Sequence, residues 1–185
     1  MQTRTDFYTA SPDAMKAMLA LEGAVGKLSI ELPLLELIRL RVSQINGCAF
    51  CLDMHTADAR KGGETERRLY TVSAWRETPF FTPRERAALA WAESLTLLSQ
   101  THAPDEDFTE LAAHFSPQEQ VALHVAIATI NSWNRLAVGF RKMPKQSTNE
   151  ADPVWELSSP SEASMGTQRC NRQTALPASR AGPAP

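Results

Sequence analysis

The chain has 185 residues, a formal net charge of −2 at neutral pH and a hydrophobic fraction of 43%. That length suffices for one domain with its own core, and so small a charge gives no electrostatic ground for nucleic acid or an anionic membrane as partner. No apolar run nears the roughly 18 residues that cross a bilayer, and Met1-Gln-Thr-Arg-Thr-Asp-Phe-Tyr has no basic segment followed by an apolar one, so no secretory signal is expected.

Taken in order, the chain reads as helix after helix from about residue 10 to 143. Ser11-Pro12-Asp13 opens the first, with serine as N-cap and proline at the first helical position; Met15, Met18, Leu19 and Val25 follow at near-helical spacing. The second runs from Glu31 to Gln44, with Leu34, Leu37, Ile38, Arg41 and Ile45 recurring at three and four. Asn46-Gly47 punctuates the chain, and a third helix is expected from the cysteine pair to Lys61, where Gly62-Gly63 stops it. A short helix follows from Glu64 to about Val72. Thr82-Pro83-Arg84-Glu85 and Ser116-Pro117-Gln118-Glu119 are capping boxes with proline at the first helical position. The first launches Pro83 to about Ser99. The second launches the longest helix, carrying Val121, Val125, Ile127, Ile130, Trp133, Leu136, Ala137 and Phe140. Asp105 to His114 makes a shorter amphipathic helix between them.

No alternating strand pattern occurs, so the fold class is all-α: a helix-rich bundle over residues 1–144 with a CxxC at the start of a central helix. From 145 to 185 the sequence is dominated by Ser, Thr, Pro, Gln, Asn and Ala, with Val154, Trp155 and Leu157 as a local apolar cluster. Such a stretch buries too little to offset its ordering entropy and is expected to be a disordered tail. Cys170 lies in it and is given no role.

The densest chemistry is in Gly47-Cys48-Ala49-Phe50-Cys51-Leu52-Asp53-Met54-His55. Spacings of three and four put Cys48, Cys51 and His55 on one helix face. An odd number of cysteines, two of them in a CxxC, is not a secreted disulfide framework; a soluble cytoplasmic protein is expected, where such a pair is catalytic or metal-binding. A free thiol near pKa 8.5 is mostly protonated at neutral pH. The helix N-terminus can ease the ionisation of Cys48, and His55, one turn from Cys51, can take a proton from that thiol. Either cysteine can then resolve a sulfenic acid on the other. By helix position alone, Cys48 is the more acidic. Glu36 sits amid Leu34, Leu35, Leu37 and Ile38, where a carboxylate is costly unless paired. If its helix packs antiparallel to that of the cysteines, Glu36 reaches His55, whereas Asp53 and Asp58 are expected to be poorly directed. A zinc site of Cys48, Cys51, His55 and Glu36 is the minor alternative. No cofactor and no metal are assigned.

The remaining candidates have plainer readings. His102, His114 and His124 are expected to be structural or solvated, and Trp75, Trp91 and Trp133 core or subunit interface. Arg39 and Arg41 are expected to be solvated or paired, with one of them a candidate to line a substrate entrance.

The run Glu36-Leu-Ile-Arg-Leu-Arg-Val-Ser-Gln-Ile-Asn-Gly-Cys48-Ala-Phe-Cys51-Leu-Asp-Met-His55 resembles the core of the AhpD-like alkylhydroperoxidases, a branch of the carboxymuconolactone decarboxylase-like family. That pattern is a glutamate, eleven residues, then CxxCxxxH, and all four positions are filled. The resemblance continues through Ala57 to Thr71, Ala88 to Trp91 and Ile130 to Arg135. It implies an all-α antioxidant enzyme of peroxiredoxin type that reduces alkyl hydroperoxides. Cys51 would be the peroxidatic thiol, Cys48 the resolving one, and Glu36 and His55 a proton relay through water. The implied partners are a hydroperoxide substrate, a reductant of thiol or lipoyl type, and further copies of the chain in a homo-oligomer. Phe50 stands where some members carry a second histidine. Two other functions fit the same residues: a decarboxylase-like acid–base enzyme, as in members without the cysteine pair, and a redox-sensing module without turnover.

Overall fold

The computed structural model describes residues 2–144, and all their regular structure is helical. The segment 145–185, with the expected tail and Cys170, lies outside the described residues. In chain order the helices are α1 (Phe7–Ala10), α2 (Pro12–Val25), α3 (Leu32–Asn46), α4 (Ala49–Lys61) and α5 (Glu66–Thr71). A 3₁₀ segment (Val72–Glu77) follows, then α6 (Pro83–Thr96), α7 (Leu98–Thr101), α8 (Asp105–His114) and α9 (Pro117–Phe140).

α3 is the axis of the bundle. Its first turns are apolar on nearly every side, and Leu34, Leu35, Leu37 and Ile38 are all buried, as a helix surrounded by others requires. One side packs Leu34, Ile38 and Val42 against Ala88 and Trp91 of α6, Leu111 of α8, and Leu123, Ile127 and Ile130 of α9. The other packs Leu37 and Leu40 against Ala59, Leu69, Val72, Trp75, Phe81 and Leu89. α3 thus touches α4, α6 and α9 along its length.

Both capping boxes form: Thr82 with Glu85 and Ser116 with Glu119 each satisfy two end groups of their helices, a gain of about 1 kcal/mol at each end. Other boundaries move. Ser11 precedes α2 but its side chain makes no capping bond; the cap in this region is Asp6, which accepts from the Tyr8 N–H at 3.0 Å and launches α1. The helix expected over Glu64 to Val72 is α5, capped by Thr65 and followed by the 3₁₀ segment. The helix expected to reach Ser99 ends at Thr96, where Leu97 departs from helical geometry. There the Thr101 hydroxyl bonds back to the Ser94 carbonyl at 2.7 Å and closes the extra turn α7. Among the described residues no helix is long and apolar enough to cross a membrane.

The N-terminus is tied to the far end of the chain. The Arg4 backbone N–H donates to the Phe140 carbonyl at 3.0 Å and its guanidinium to the Gly139 carbonyl at 2.9 Å. Phe7 packs on Phe140 with ring centroids 5.9 Å apart. These contacts seat α1 beside the C-terminal end of α9.

Candidate functional site

Gly47 makes the turn from which the site is built. It ends α3 in the left-handed region (φ 65°), where a side chain would be strained. The Gly47 and Cys48 N–H groups bond back to the last carbonyls of α3, and Cys48 is already the N-cap of α4. With so short a connection α4 doubles back along α3. Glu36, near the start of α3, therefore meets His55, near the middle of α4.

The two sulfurs share a hydrogen bond at 2.6 Å, and the Cys51 N–H donates to Cys48 Sγ at 3.4 Å. Both side chains are buried. The contact with Cys51 lowers the Cys48 thiol to about 7, against the opposing effect of burial, with help from the Cys51 backbone N–H and the Asn134 side chain. The same contact, then burial, pushes the Cys51 thiol up. One proton of the pair is therefore lost near neutrality, and the one that remains is held between the sulfurs. The Cys51 N–H directed at Cys48 Sγ favours a thiolate there, in the same direction as the position argument made from sequence.

Access distinguishes the cysteines in the opposite sense. A cavity of about 300 Å³ is lined by Cys51 and His55, with Phe7, Tyr8, Phe50, Met54 and Trp133 among its largely apolar walls, and Cys48 is not part of its lining. Cys48 lies behind, packed with Cys51 and Ala137. A molecule entering the cavity meets the Cys51 sulfur.

Behind His55 runs a chain of charges. His55 Nδ1 lies 2.9 Å from Glu36 Oε2, and the Arg39 guanidinium donates to Glu36 Oε1 at 2.6 Å. Arg39 also reaches Glu22 at 2.5 Å, and the Trp133 indole N–H donates to the other Glu22 oxygen at 2.9 Å. Burial raises the Glu36 pKa, but His55 and Arg39 together outweigh it, so the carboxyl is held below its ordinary range. Glu36 stays ionised and fixes the His55 ring, leaving Nε2 for chemistry. Arg39 is a paired residue and also lines the cavity; Arg41 instead pairs with Glu93 at 2.7 Å.

The expectation that Asp58 is poorly directed is corrected. One turn beyond His55, its carboxylate lies within 4.8 Å of the donor atoms of both Glu36 and His55 and lines the cavity. Burial, then the negative charge of Glu36, raises its pKa. The helical step of three residues from His55 was the available signal. Among the described residues, the donor atoms gathered closely enough for a metal are those of Glu36, His55 and Asp58, and neither cysteine belongs to that group.

Sequence reasoning also passed over Asn134. It donates to the Ser43 hydroxyl at 3.1 Å and accepts from Asn46 Nδ2 at 2.9 Å, and its side chain lowers the pKa of both thiols. Asn131 and Asn134, three apart on the apolar face of α9, were the visible sign. The other candidates stand apart from the site. His102 ends α7, His114 pairs with Glu110 on α8, and exposed His124 lies 6.1 Å from the Trp91 ring. Trp75 and Trp91 are core residues, and Trp133 is half-buried in the cavity wall.

Residues 12–94 match the model of the carboxymuconolactone decarboxylase family. Over 140 residues the chain is 45% identical to the uncharacterized protein YdfG of Bacillus subtilis (strain 168), covering 76% of this chain and 95% of that one. It is 46% identical to a crystal structure from Agrobacterium tumefaciens, a protein of unknown function with a suggested antioxidant-defence role as AhpD. That match has a TM-score of 0.77 and covers 79% of this chain and 100% of the other. A peroxidase-related protein from Silicibacter sp. TM1040, 24% identical, shares the fold with a TM-score of 0.67 over 75% of this chain and 73% of its own.

Proposed function

Since the chain belongs to the carboxymuconolactone decarboxylase family and has the AhpD-like helical fold, we propose that it is a thiol peroxidase that reduces alkyl hydroperoxides. The observation that carries this reading is the division of labour between the sulfurs: Cys51 faces the cavity beside His55, and Cys48 stands 2.6 Å behind it.

The cycle follows from that placement. As a hydroperoxide enters, the proton between the sulfurs passes to Cys48, and Cys51 becomes the thiolate. Its sulfur attacks the distal peroxide oxygen; an S–O bond forms, the O–O bond breaks, and the departing alkoxide takes a proton delivered through His55. Glu36 holds the imidazole and balances its charge while it is protonated. Cys48 then attacks the Cys51 sulfenic acid. An S–S bond forms, the S–O bond breaks, and the oxygen leaves as water. A dithiol donor, of thiol or lipoyl type, reduces the disulfide. The net change is ROOH plus dithiol to ROH, water and disulfide. The cavity walls suit an alkyl group, and Phe50 contributes a ring to them.

Assembly into a homo-oligomer belongs to the same reading. Phe108 and Val121 are exposed beside the buried Trp91, whose indole N–H lacks an acceptor among the described residues. A second copy would cover the exposed Phe108 and Val121 side chains. Sedimentation as a monomer alone would remove this part.

The deciding experiment is consumption of cumene hydroperoxide with dithiothreitol as reductant. Many turnovers per chain are expected, with a Cys48–Cys51 disulfide mapped when the reductant is left out. Arrest after one equivalent would make the protein a sensor. No consumption at all, with both thiols left reduced, would return the Glu36–His55 pair to acid–base chemistry.

A further inference from the structure

The cavity has a cation that the cycle above does not use. Lys142, two residues beyond the end of α9, lines it together with Cys51. Its ammonium lies 4.3 Å from the centroid of Tyr8, 4.6 Å from that of Phe50 and 5.2 Å from that of Phe7. Three rings around one ammonium hold it by their π faces, which attract a cation electrostatically. Each ring has its own mooring. Phe50 is the neighbour of Cys51, and Phe7 and Tyr8 belong to α1, which Asp6 caps and Arg4 fastens to the end of α9.

Several carboxylates surround the cavity that holds this cation. Glu22 and Asp58 line it, and Glu36 stands behind His55. Arg39 also lines the cavity and pairs with both Glu22 and Glu36. A thiolate at Cys51 would add one more negative charge among three carboxylates. We infer that Lys142 is a positioning residue for catalysis, held in an aromatic cage by Phe7, Tyr8 and Phe50 so that its charge stabilises the Cys51 thiolate. This rests on the reading of Cys51 as the attacking sulfur. The charges sense one another as the inference requires. Lys142 lowers the Cys51 pKa against the larger upward effects of Cys48 and burial. Cys51 in turn contributes, after burial and Asp6, to raising the Tyr8 pKa. The groups facing Cys51 are then Cys48 and His55 on its own helix, Asn134 and Lys142 at α9 and beyond, Tyr8 on α1, and the Glu22, Arg39 and Asp58 charges of the cavity.

The test reads Cys51 directly. In the full chain carrying Cys48→Ser, the pH dependence of iodoacetamide labelling is followed on the Cys51 peptide by mass spectrometry, which separates it from Cys170. Lys142→Met should raise the labelling midpoint by about one pH unit, roughly a tenfold slower reaction at neutral pH. Lys142→Arg should restore most of it, and Tyr8→Leu, which opens the cage, should move it part of the way. An unchanged midpoint in both Lys142→Met and Tyr8→Leu would overturn the inference, and so would an equal shift in the Arg and Met variants, since packing and not charge would then be responsible. Cumene hydroperoxide turnover on the unsubstituted protein is measured in parallel. Labelling shifts without turnover would sink the peroxidase reading and leave the Lys142–thiolate coupling standing; turnover with no labelling shift would do the reverse.

Discussion

Leu111, Leu123 and Ile127 are fully buried between α6, α8 and α9 among other apolar side chains. Around the cysteines and His55 the buried residues include the polar Glu36, Ser43, His55, Asn131 and Asn134, and each makes a hydrogen bond. The two regions are built on the same α3 and α9, only a few turns apart. The apolar region tolerates one orphan: among the described residues, Trp91 Nε1 is the buried side-chain polar atom without a partner, and it lies there. The sulfur region has no such slack. In a setting of low dielectric an unpaired polar group costs more and a paired one is held more firmly, so stability is concentrated in one region and electrostatic precision in the other.

That division can be broken experimentally. The largest effect belongs to Cys51→Ser, which should abolish peroxide consumption in a ferrous-oxidation assay while leaving the unfolding transition almost in place; residual turnover near the parent rate would show that the cavity does not house the reacting sulfur. In the same assay Cys48→Ser should permit one turnover and leave a sulfenic acid that dimedone traps. Leu123→Ala tests the opposite region: about 2–5 kcal/mol of stability should be lost in urea titration, with the rate per folded molecule little changed. Next comes His55→Ala: if His55 delivers the proton as proposed, the rate with hydroperoxide should fall about 10²-fold, at far less cost in stability than Leu123→Ala.

Smaller effects sharpen the boundary between the regions. Labelling of the parent dithiol should rise with pH through about 7 and then level off, and Asn134→Ala should move that rise upward, since the amide eases both ionisations. Glu36 has a depressed pKa in the folded protein. Its contribution to stability is therefore complete above the ordinary carboxylate range and disappears as the pH falls through the lower folded value. Urea titrations across the acid range should show Glu36→Gln flattening that decline, and an unchanged acid limb would place the pairing energy elsewhere.

How far the sequence discloses this arrangement depends on how local each feature is. The two capping boxes, the extent of α4 and the one-face alignment of Cys48, Cys51 and His55 follow from spacings within a few residues, and the structure has all of them. Glu36 was legible as a carboxylate in an apolar helix, because such burial demands a partner. Its partner could be named only on the assumption that α3 and α4 pack antiparallel, which the Gly47 turn enforces. Asn134 and Lys142 were not assigned. Asn134 acts on the sulfurs and Lys142 lines the cavity with Cys51, each from more than eighty residues away in the chain, and nothing adjacent to either residue announces that placement. α1 was missed for a related reason: a helix of four residues has almost no periodicity to read, and it is held by Arg4 and Phe140 across the whole length of the domain.

Cys48 and Cys51 occupy the cap and first turn of one helix, so linking them closes a ring of only a few residues. Cross-links stabilise a fold chiefly by restricting large excursions of the unstructured chain, and so tight a ring restricts fewer of them than a long one. Oxidised and reduced molecules should consequently melt closer together than a long-range cross-link would allow and, with both sulfurs buried, present the same outer surface to their surroundings. Such invariance would suit a protein that undergoes oxidation repeatedly better than one that reports it to a listener.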